Sequence, residues 1–386
     1  MRYQKLGKAN LEEASILGFG AMRLPMVGDP DGLAGFDPKI PIDEARADKM
    51  IQLALDKGIN YFDTAYGYHG GKSELYVGKV LHPVRNRVMI ASKLPVWNIG
   101  KTEDFERVFS EQLGKLQTDY LDVYLVHSLN SVHWEKMKRL GVLEFMDGLK
   151  KSGRIRAAGF SFHDEIKVFK QIVDAWDWDV TQIQYNFYDQ DYQAGREGLK
   201  YAADRNIGVI VMEPLRGGKL VSKIPAEVQK IWDGAAVKRT PAEWGMRWVW
   251  NQPEVSVALT GSSTLEQLAE NIGMVKDAEP GSLTPEELAL FDQARAIYRA
   301  KLKIDCTSCA YCMPCPNGVD IPSNFQLYNE IFLFDDKEFS PFFYNNLMEK
   351  SQQASNCVEC GACEEKCPQK IPIAAELKAA AKALTR

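Results

Sequence analysis

The chain has no cysteine in its first 305 residues and only five histidines in all. No apolar run approaches the ~18–20 residues that a membrane-spanning helix needs. It also lacks a surplus of one charge: 47 lysines and arginines face 52 aspartates and glutamates, a net charge of −5 over 386 residues. A general nucleic-acid binder carries a basic excess, so neither nucleic acid nor a membrane is an expected partner. The opening Met1-Arg2-Tyr3-Gln4-Lys5-Leu6-Gly7-Lys8 contains no apolar stretch of the secretory kind, which points to a cytoplasmic protein. With 45% hydrophobic and 26% charged residues, the composition is that of a globular chain long enough for one large domain and one small one.

What is present is unevenly placed. All eight cysteines lie from Cys306 onward. Scattered cysteines would read as buried core thiols; this segregation marks a module with its own chemistry. The expected division is a domain over 1–300 and a second over 301–386.

In the first domain, apolar β-branched runs at 16–21, 60–64, 88–93, 121–127, 154–160, 181–186, 208–212 and 255–260 have the character of strands buried on both faces. Segments with helical spacing separate them. Phe105, Val108, Phe109, Leu113 and Leu116 share one helical face, and a helix over 134–151 ends in Lys150-Lys151-Ser152-Gly153. This alternation predicts an α/β fold, a closed (β/α)8 TIM barrel. The rival is a doubly wound dinucleotide-binding sheet. Leu17-Gly18-Phe19-Gly20-Ala21-Met22-Arg23 lacks the third glycine of that fingerprint and runs into Pro25 instead of a helix. A phosphate loop of the Gly-x4-Gly-Lys-Ser/Thr type is also missing.

Catalytic groups of such barrels stand at the C-terminal ends of strands. Asp63 ends the second strand and Tyr68 follows it; Lys93 ends the third and His127 the fourth. Each alone has a plain structural reading: a turn cap, a packing aromatic, a solvated charge, a core histidine. Four at one rim point to chemistry. A lysine paired with the aspartate is expected to favour the phenolate of the tyrosine and tune it for proton transfer.

The run Gly58-Ile59-Asn60-Tyr61-Phe62-Asp63-Thr64-Ala65, with Tyr68 and Ser73-Glu74, resembles the aldo-keto reductase signature. The resemblance continues through Ser92-Lys93, Leu121-Asp122-Val123-Tyr124-Leu125-Val126-His127, Gly159-Phe160-Ser161 and Glu270-Asn271. It implies a (β/α)8 oxidoreductase that interconverts a small carbonyl compound and its alcohol with NADP or NAD. Asp63, Tyr68, Lys93 and His127 would be its catalytic residues. Ser161 and Gln182 would hold the nicotinamide amide and Met212 would pack on its ring. Ser262, Ser263, Glu270 and Asn271 would take the adenosine end. The family's lysine and arginine for the NADP 2′-phosphate are replaced by Gly261 and Gln267, so the sequence does not choose between NADPH and NADH.

The cysteines read Cys306-x2-Cys309-x2-Cys312-x2-Cys315-Pro316 and Cys357-x2-Cys360-x2-Cys363-x3-Cys367-Pro368. Three thiolates at three-residue steps wrap a cubane, and the fourth, before proline, serves the other cluster. That assigns one [4Fe–4S] cluster to Cys306, Cys309, Cys312 and Cys367, and the second to Cys357, Cys360, Cys363 and Cys315. Disulfides do not suit a chain without an export signal, and zinc ribbons use separated Cys-x2-Cys pairs. The aromatic residues between the two runs predict a small helical core, and the alanine-rich end predicts a helix over 373–384. The module resembles α-helical ferredoxins, and the whole chain resembles ferredoxin-type aldo-keto reductases.

Hydride transfer moves an electron pair, whereas a cubane passes one electron at a time, and a flavin is the usual converter. No motif marks a flavin site. Three readings stand: a carbonyl reductase whose clusters are structural or regulatory; clusters that exchange electrons with a redox partner protein, with or without a flavin; and an electron-transfer protein with a vestigial tetrad.

Overall fold

The computed structural model describes residues 1–29, 40–222, 224–306, 312–367 and 369–385. The eight expected strands form: β1 (Leu17–Gly20), β2 (Tyr61–Asp63), β3 (Met89–Leu94), β4 (Leu121–Leu129), β5 (Ile155–Phe162), β6 (Val180–Gln184), β7 (Gly208–Met212) and β8 (Val255–Thr260). They pair in parallel and in chain order, and β8 closes on β1 with Ala258 opposite Leu17. The (β/α)8 barrel read from the sequence is the architecture observed.

The two-residue period of a strand explains where the polar residues go. Tyr61, Met89, Ala91, Val123, Leu125, Ala157, Val180 and Ile210 form one buried cluster inside the barrel. Continuing each strand in the same phase brings Asp63, Lys93, His127, Ser161, Gln182 and Met212 to that inner side at the C-terminal end. Residues of opposite phase, such as Tyr124 and Ile90, pack outward and are equally buried. At the other end the short antiparallel pair Tyr3–Gln4 with Ala14–Ser15 adds Leu6 and Ala14 to the interior cluster.

The helix over Glu103–Leu116 buries Phe105, Val108, Phe109 and Leu116, as the apolar stripe requires. The single helix expected over 134–151 is two, Ser131–Leu140 and Val142–Lys151. The break is Gly141, whose φ of 88° ends the first helix in a left-handed cap.

The chain divides into two compact units, Met1–Gly217 with Ala242–Thr284, and Gly218–Pro241 with Pro285–Arg386. This differs from a single cut near residue 300. The helix Pro285–Ala300 clusters with the cysteine segment, as does an excursion between β7 and β8. Specific contacts explain the grouping: Trp232 packs on Phe291, Arg239 pairs with Glu287, and Lys219 meets both Glu330 and Asp336. The core of this second unit comes from the helices Ile321–Leu333, Phe339–Asn346 and Ile373–Leu384, with Ile321, Phe325, Tyr344, Leu377 and Leu384 buried. The expected helical module is present, though Phe332, Phe342 and Leu347 face outward. Among the described residues no helix is long and apolar enough to cross a membrane.

Asp122, at the start of β4, ties three neighbours together. It accepts from the Ile90 amide at 2.9 Å and pairs with Arg85 at 2.8 Å and Arg156 at 3.1 Å while itself buried. Removing one partner of a buried pair leaves an uncompensated charge. Asp122→Ala is therefore expected to lower the unfolding free energy by about 3–5 kcal/mol in urea titrations. A loss under about 1 kcal/mol would show that solvent screens the two arginines.

Candidate active site

At the C-terminal rim, the side chain of Lys93 is completely buried. Its Nζ donates to Asp63 Oδ1 at 2.6 Å, to the Thr64 carbonyl at 2.8 Å and to the Tyr68 hydroxyl at 3.4 Å. An ammonium has three N–H groups, and three oxygens meet them. Burial alone would lower the lysine pKa, but the charges and hydrogen bonds of Asp63 and Tyr68 carry it above its ordinary value. The second Asp63 oxygen accepts from Gln182 Nε2 at 3.0 Å. Tyr68 comes from the short turn Tyr68–Gly71 after β2, whose left-handed His69 and Gly70 turn the chain back over the barrel end.

The His127 ring stands edge-on to Tyr68, 6.2 Å between centroids, and Trp97 lies 4.9 Å from it. Burial first, and then the Lys93 charge, hold the imidazole pKa well below its usual value, so the ring is neutral. Its Nδ1 is buried without a hydrogen-bond partner among the described residues. Asp63, Tyr68, Lys93 and His127 thus come together as the sequence implied. One expectation is corrected. Burial raises the Tyr68 phenol above its ordinary pKa, and the lowering effect of Lys93 does not overcome it because Asp63 opposes it. The phenol is a proton donor through neutral pH.

A second polar layer lies behind Lys93. The fully buried Glu74 accepts from Ser92 Oγ and from Gln112 Nε2, each at 2.6 Å. Gln112 Nε2 also reaches the Lys93 carbonyl at 3.1 Å, and the Tyr124 hydroxyl donates to Gln112 Oε1 at 2.7 Å. These bonds fix the backbone from which Lys93 projects. Gln112 escaped the sequence reading, although a polar residue among Phe105, Phe109 and Leu116 on one helical face was the available signal.

The expected cofactor residues fall into separate groups. Ser161 Oγ, buried, accepts from the Ser128 amide at 2.7 Å, and Gln182 is occupied at Asp63. Met212 is half-buried against the barrel interior. Ser262 and Asn271 form a buried cluster with Thr260: Ser262 and Thr260 hydroxyls are 2.7 Å apart, and Asn271 Nδ2 donates to both. Ser263 donates its amide to Gln267 Oε1 at 2.9 Å, and Glu270 is exposed.

In the second unit Cys367 belongs to the apolar core, and Cys306, Cys312, Cys315, Cys357 and Cys363 pack against it; Cys360 is exposed. Cys309 lies outside the described residues. Among the described residues no three His, Cys, Asp or Glu side chains converge as a ligating group. The donor set itself, soft thiols gathered on one apolar core, suits iron–sulfur chemistry.

The barrel thus carries a tyrosine, an ion-paired lysine and a histidine at its mouth, and the second unit carries the cysteines, the parts expected of an oxidoreductase barrel joined to an iron–sulfur module. Residues 17–296 match the aldo/keto reductase family and residues 305–371 match the 4Fe-4S dicluster domain; the chain belongs to the aldo/keto reductase family. It is 25% identical over 319 residues to the uncharacterized oxidoreductase YqkF of Bacillus subtilis, covering 75% of this chain and 94% of that one. It is 25% identical over 299 residues to methylglyoxal reductase YeaE of Escherichia coli, covering 74% and 96%. Among solved structures, the holo form of aldo-keto reductase AKR11C1 from Bacillus halodurans aligns with a TM-score of 0.62 at 24% identity. That alignment covers 76% of this chain and 96% of the other.

Three imidazoles that burial holds below their ordinary pKa, His69, His127 and His163, give this part of the barrel a pH signature. Burial lowers His69 from 6.5 to about 4 and holds His127 well below 6.5. The unfolded chain therefore binds more protons than the folded one below pH 6.5, so stability present above that pH is lost on acidification. Urea denaturation is expected to show the unfolding free energy falling as pH drops from 6.5 towards 4, less steeply in His69→Gln. Equal slopes in the two proteins would mean that His69 protonates without cost in the fold.

Proposed function

We propose that the barrel reduces an aldehyde or ketone to an alcohol with NADPH or NADH, or runs the reverse reaction. The observation that carries this reading is the Lys93 ammonium held between the Asp63 carboxylate and the Tyr68 hydroxyl. The residues present suit a nicotinamide dinucleotide: buried Ser161 and Gln182 offer polar atoms beside the tetrad, and Met212 offers an apolar face. Ser262, Ser263, Glu270 and Asn271 offer donors and acceptors along β8 and the helix after it. When bound, the nicotinamide supplies hydride to the carbonyl carbon.

The chain's own residues do the rest. Neutral His127 directs an N–H at the carbonyl oxygen and positions it beside Tyr68. The Tyr68 hydroxyl passes its proton to that oxygen as negative charge develops there. Lys93 stabilises the phenolate left behind, and Asp63, held by Gln182, keeps Lys93 charged and in place. Trp97, half-exposed beside His127, walls the approach to that oxygen. The methylglyoxal reductase named among the relatives acts, by its name, on a small dicarbonyl, and a small aldehyde is the substrate class to try first.

In the second unit the cysteines are assigned to two [4Fe–4S] clusters, Cys306, Cys309, Cys312 and Cys367 for one and Cys357, Cys360, Cys363 and Cys315 for the other. One observation favours a second reading, electron exchange with a redox partner protein, with a flavin as the converter between one and two electrons. Cys360 is exposed and Val358 beside it is 62% exposed, which puts a ligand-bearing loop at the surface.

Tyr68→Phe is expected to lower kcat by about 10²–10⁴-fold with either cofactor while leaving its binding intact. Anaerobically purified protein assayed against a panel of aldehydes and ketones measures this. The same protein should contain about eight iron and eight sulfide per chain. Fully loaded wild type that turns over no carbonyl compound would remove the reductase reading and leave the electron-transfer one.

A further inference from the structure

Between the two cysteine runs, the helix Ile321–Leu333 carries two buried asparagines, Asn324 with 0% and Asn329 with 6% of its surface exposed. A buried amide is costly unless its N–H groups and its oxygen are met. Asn329 meets them within one segment. Its Oδ1 accepts from the Lys303 amide at 3.0 Å and the Ile304 amide at 2.9 Å, and its Nδ2 donates to the Ile304 carbonyl at 2.8 Å. These bonds fix the chain as it approaches Cys306.

Asn324 works between segments. Its Nδ2 donates to the Asp320 carbonyl at 2.6 Å and to the Gln352 carbonyl at 2.8 Å, and its Oδ1 accepts from the Ala354 amide at 2.9 Å. The Asp320 amide donates to the same Gln352 carbonyl at 3.0 Å. Asp320 caps the helix and ends the short link from Cys315, whose carbonyl takes the Gly318 amide at 2.9 Å. Ala354 begins the approach to Cys357, whose amide donates back to the Ala354 carbonyl at 3.1 Å. One side chain, with both N–H groups and its oxygen in use, therefore straps the segment leaving Cys315 to the segment approaching Cys357.

We propose that Asn324 is a positioning residue for the second cysteine set, holding Cys315, the ligand that the first run contributes, within reach of Cys357, Cys360 and Cys363. The inference rests on the reading above that these four share one of two clusters. Three thiolates at three-residue steps are placed by the short chain between them. Cys315 has no such link to the second run, so its place depends on contacts that bring the flanks of the two runs together. Asn324 supplies hydrogen bonds to both flanks. A leucine there would fill a similar volume without joining the segments, which separates this role from simple packing.

The test measures iron, sulfide and electron paramagnetic resonance on the anaerobically purified full chain, with circular dichroism to report folding. Cys315→Ala and Cys312→Ala, each removing one ligand from a different cluster, supply the two reference spectra. With three thiolates left, Cys315→Ala is expected to lose about one iron per chain and to show a three-iron signal when oxidised. Asn324→Leu should reproduce the iron loss and the spectrum of Cys315→Ala. Asn329→Leu, equally buried and equally bonded but tied to the other run, should not. Asn324→Asp keeps the acceptor for Ala354 and loses the paired donors; it should show the same loss, and it decides the matter if the leucine variant does not fold. Full iron and the wild-type spectrum in a folded Asn324 variant overturn the proposal. So does equal loss from both clusters, or the Cys315→Ala spectrum appearing in Asn329→Leu, since general loosening of the core would give either. Wild type without two clusters, or Cys315→Ala and Cys312→Ala with one spectrum, overturns the cluster assignment and this proposal with it; distinct reference spectra with unchanged Asn324 variants overturn this proposal alone.

Discussion

A lysine ammonium with no access to solvent must be met by oxygens on every N–H, and most of the barrel mouth is arranged by that need. Asp63, the Thr64 carbonyl and the Tyr68 hydroxyl meet the buried Lys93. Their placement requires β2 and β3 to pair in one register, with Asp63 opposite Ala91. A slip of one residue would turn Lys93 to the helix side and Ser92 inward, so fold and chemistry share one alignment. The layer of Glu74, Ser92, Gln112 and Tyr124 extends the same demand outward, because the strand that carries the lysine must itself be held.

The polar atoms proposed to receive a dinucleotide are not idle. Ser161 holds the Ser128 amide, Gln182 holds Asp63, and Ser262, Thr260 and Asn271 hold one another. A buried hydroxyl or amide left without a partner is costly, so a site built to bind must satisfy itself while waiting. Binding at such a mouth is an exchange of hydrogen bonds, and its net gain is smaller than the contacts formed would suggest.

The strands were legible because each is a short apolar run with clear ends, and the tetrad because its members sit in phase at those ends. The strand period alone carries Asp63, Lys93 and His127 to one side. The cysteine runs from Cys306 to Cys367 stand out for a different reason, since their spacing along the chain is that of a cluster-binding pattern. What the sequence hid depends on distant contacts. The direction of the Tyr68 shift depends on how deeply the phenol is buried and on Asp63 offsetting Lys93. The helix break at Gly141 depends on a left-handed backbone that a glycine permits but does not announce.

The excursion Gly218–Pro241 gives the chain an unusual order of completion. A ribosome delivers this segment after seven barrel strands and before the eighth, but the residues that Lys219, Trp232 and Arg239 pack or pair with are Glu330, Phe291 and Glu287. The barrel can close once β8 emerges, while its own connecting loop waits for chain not yet made. The cysteine module is consequently not a bead added behind a finished enzyme.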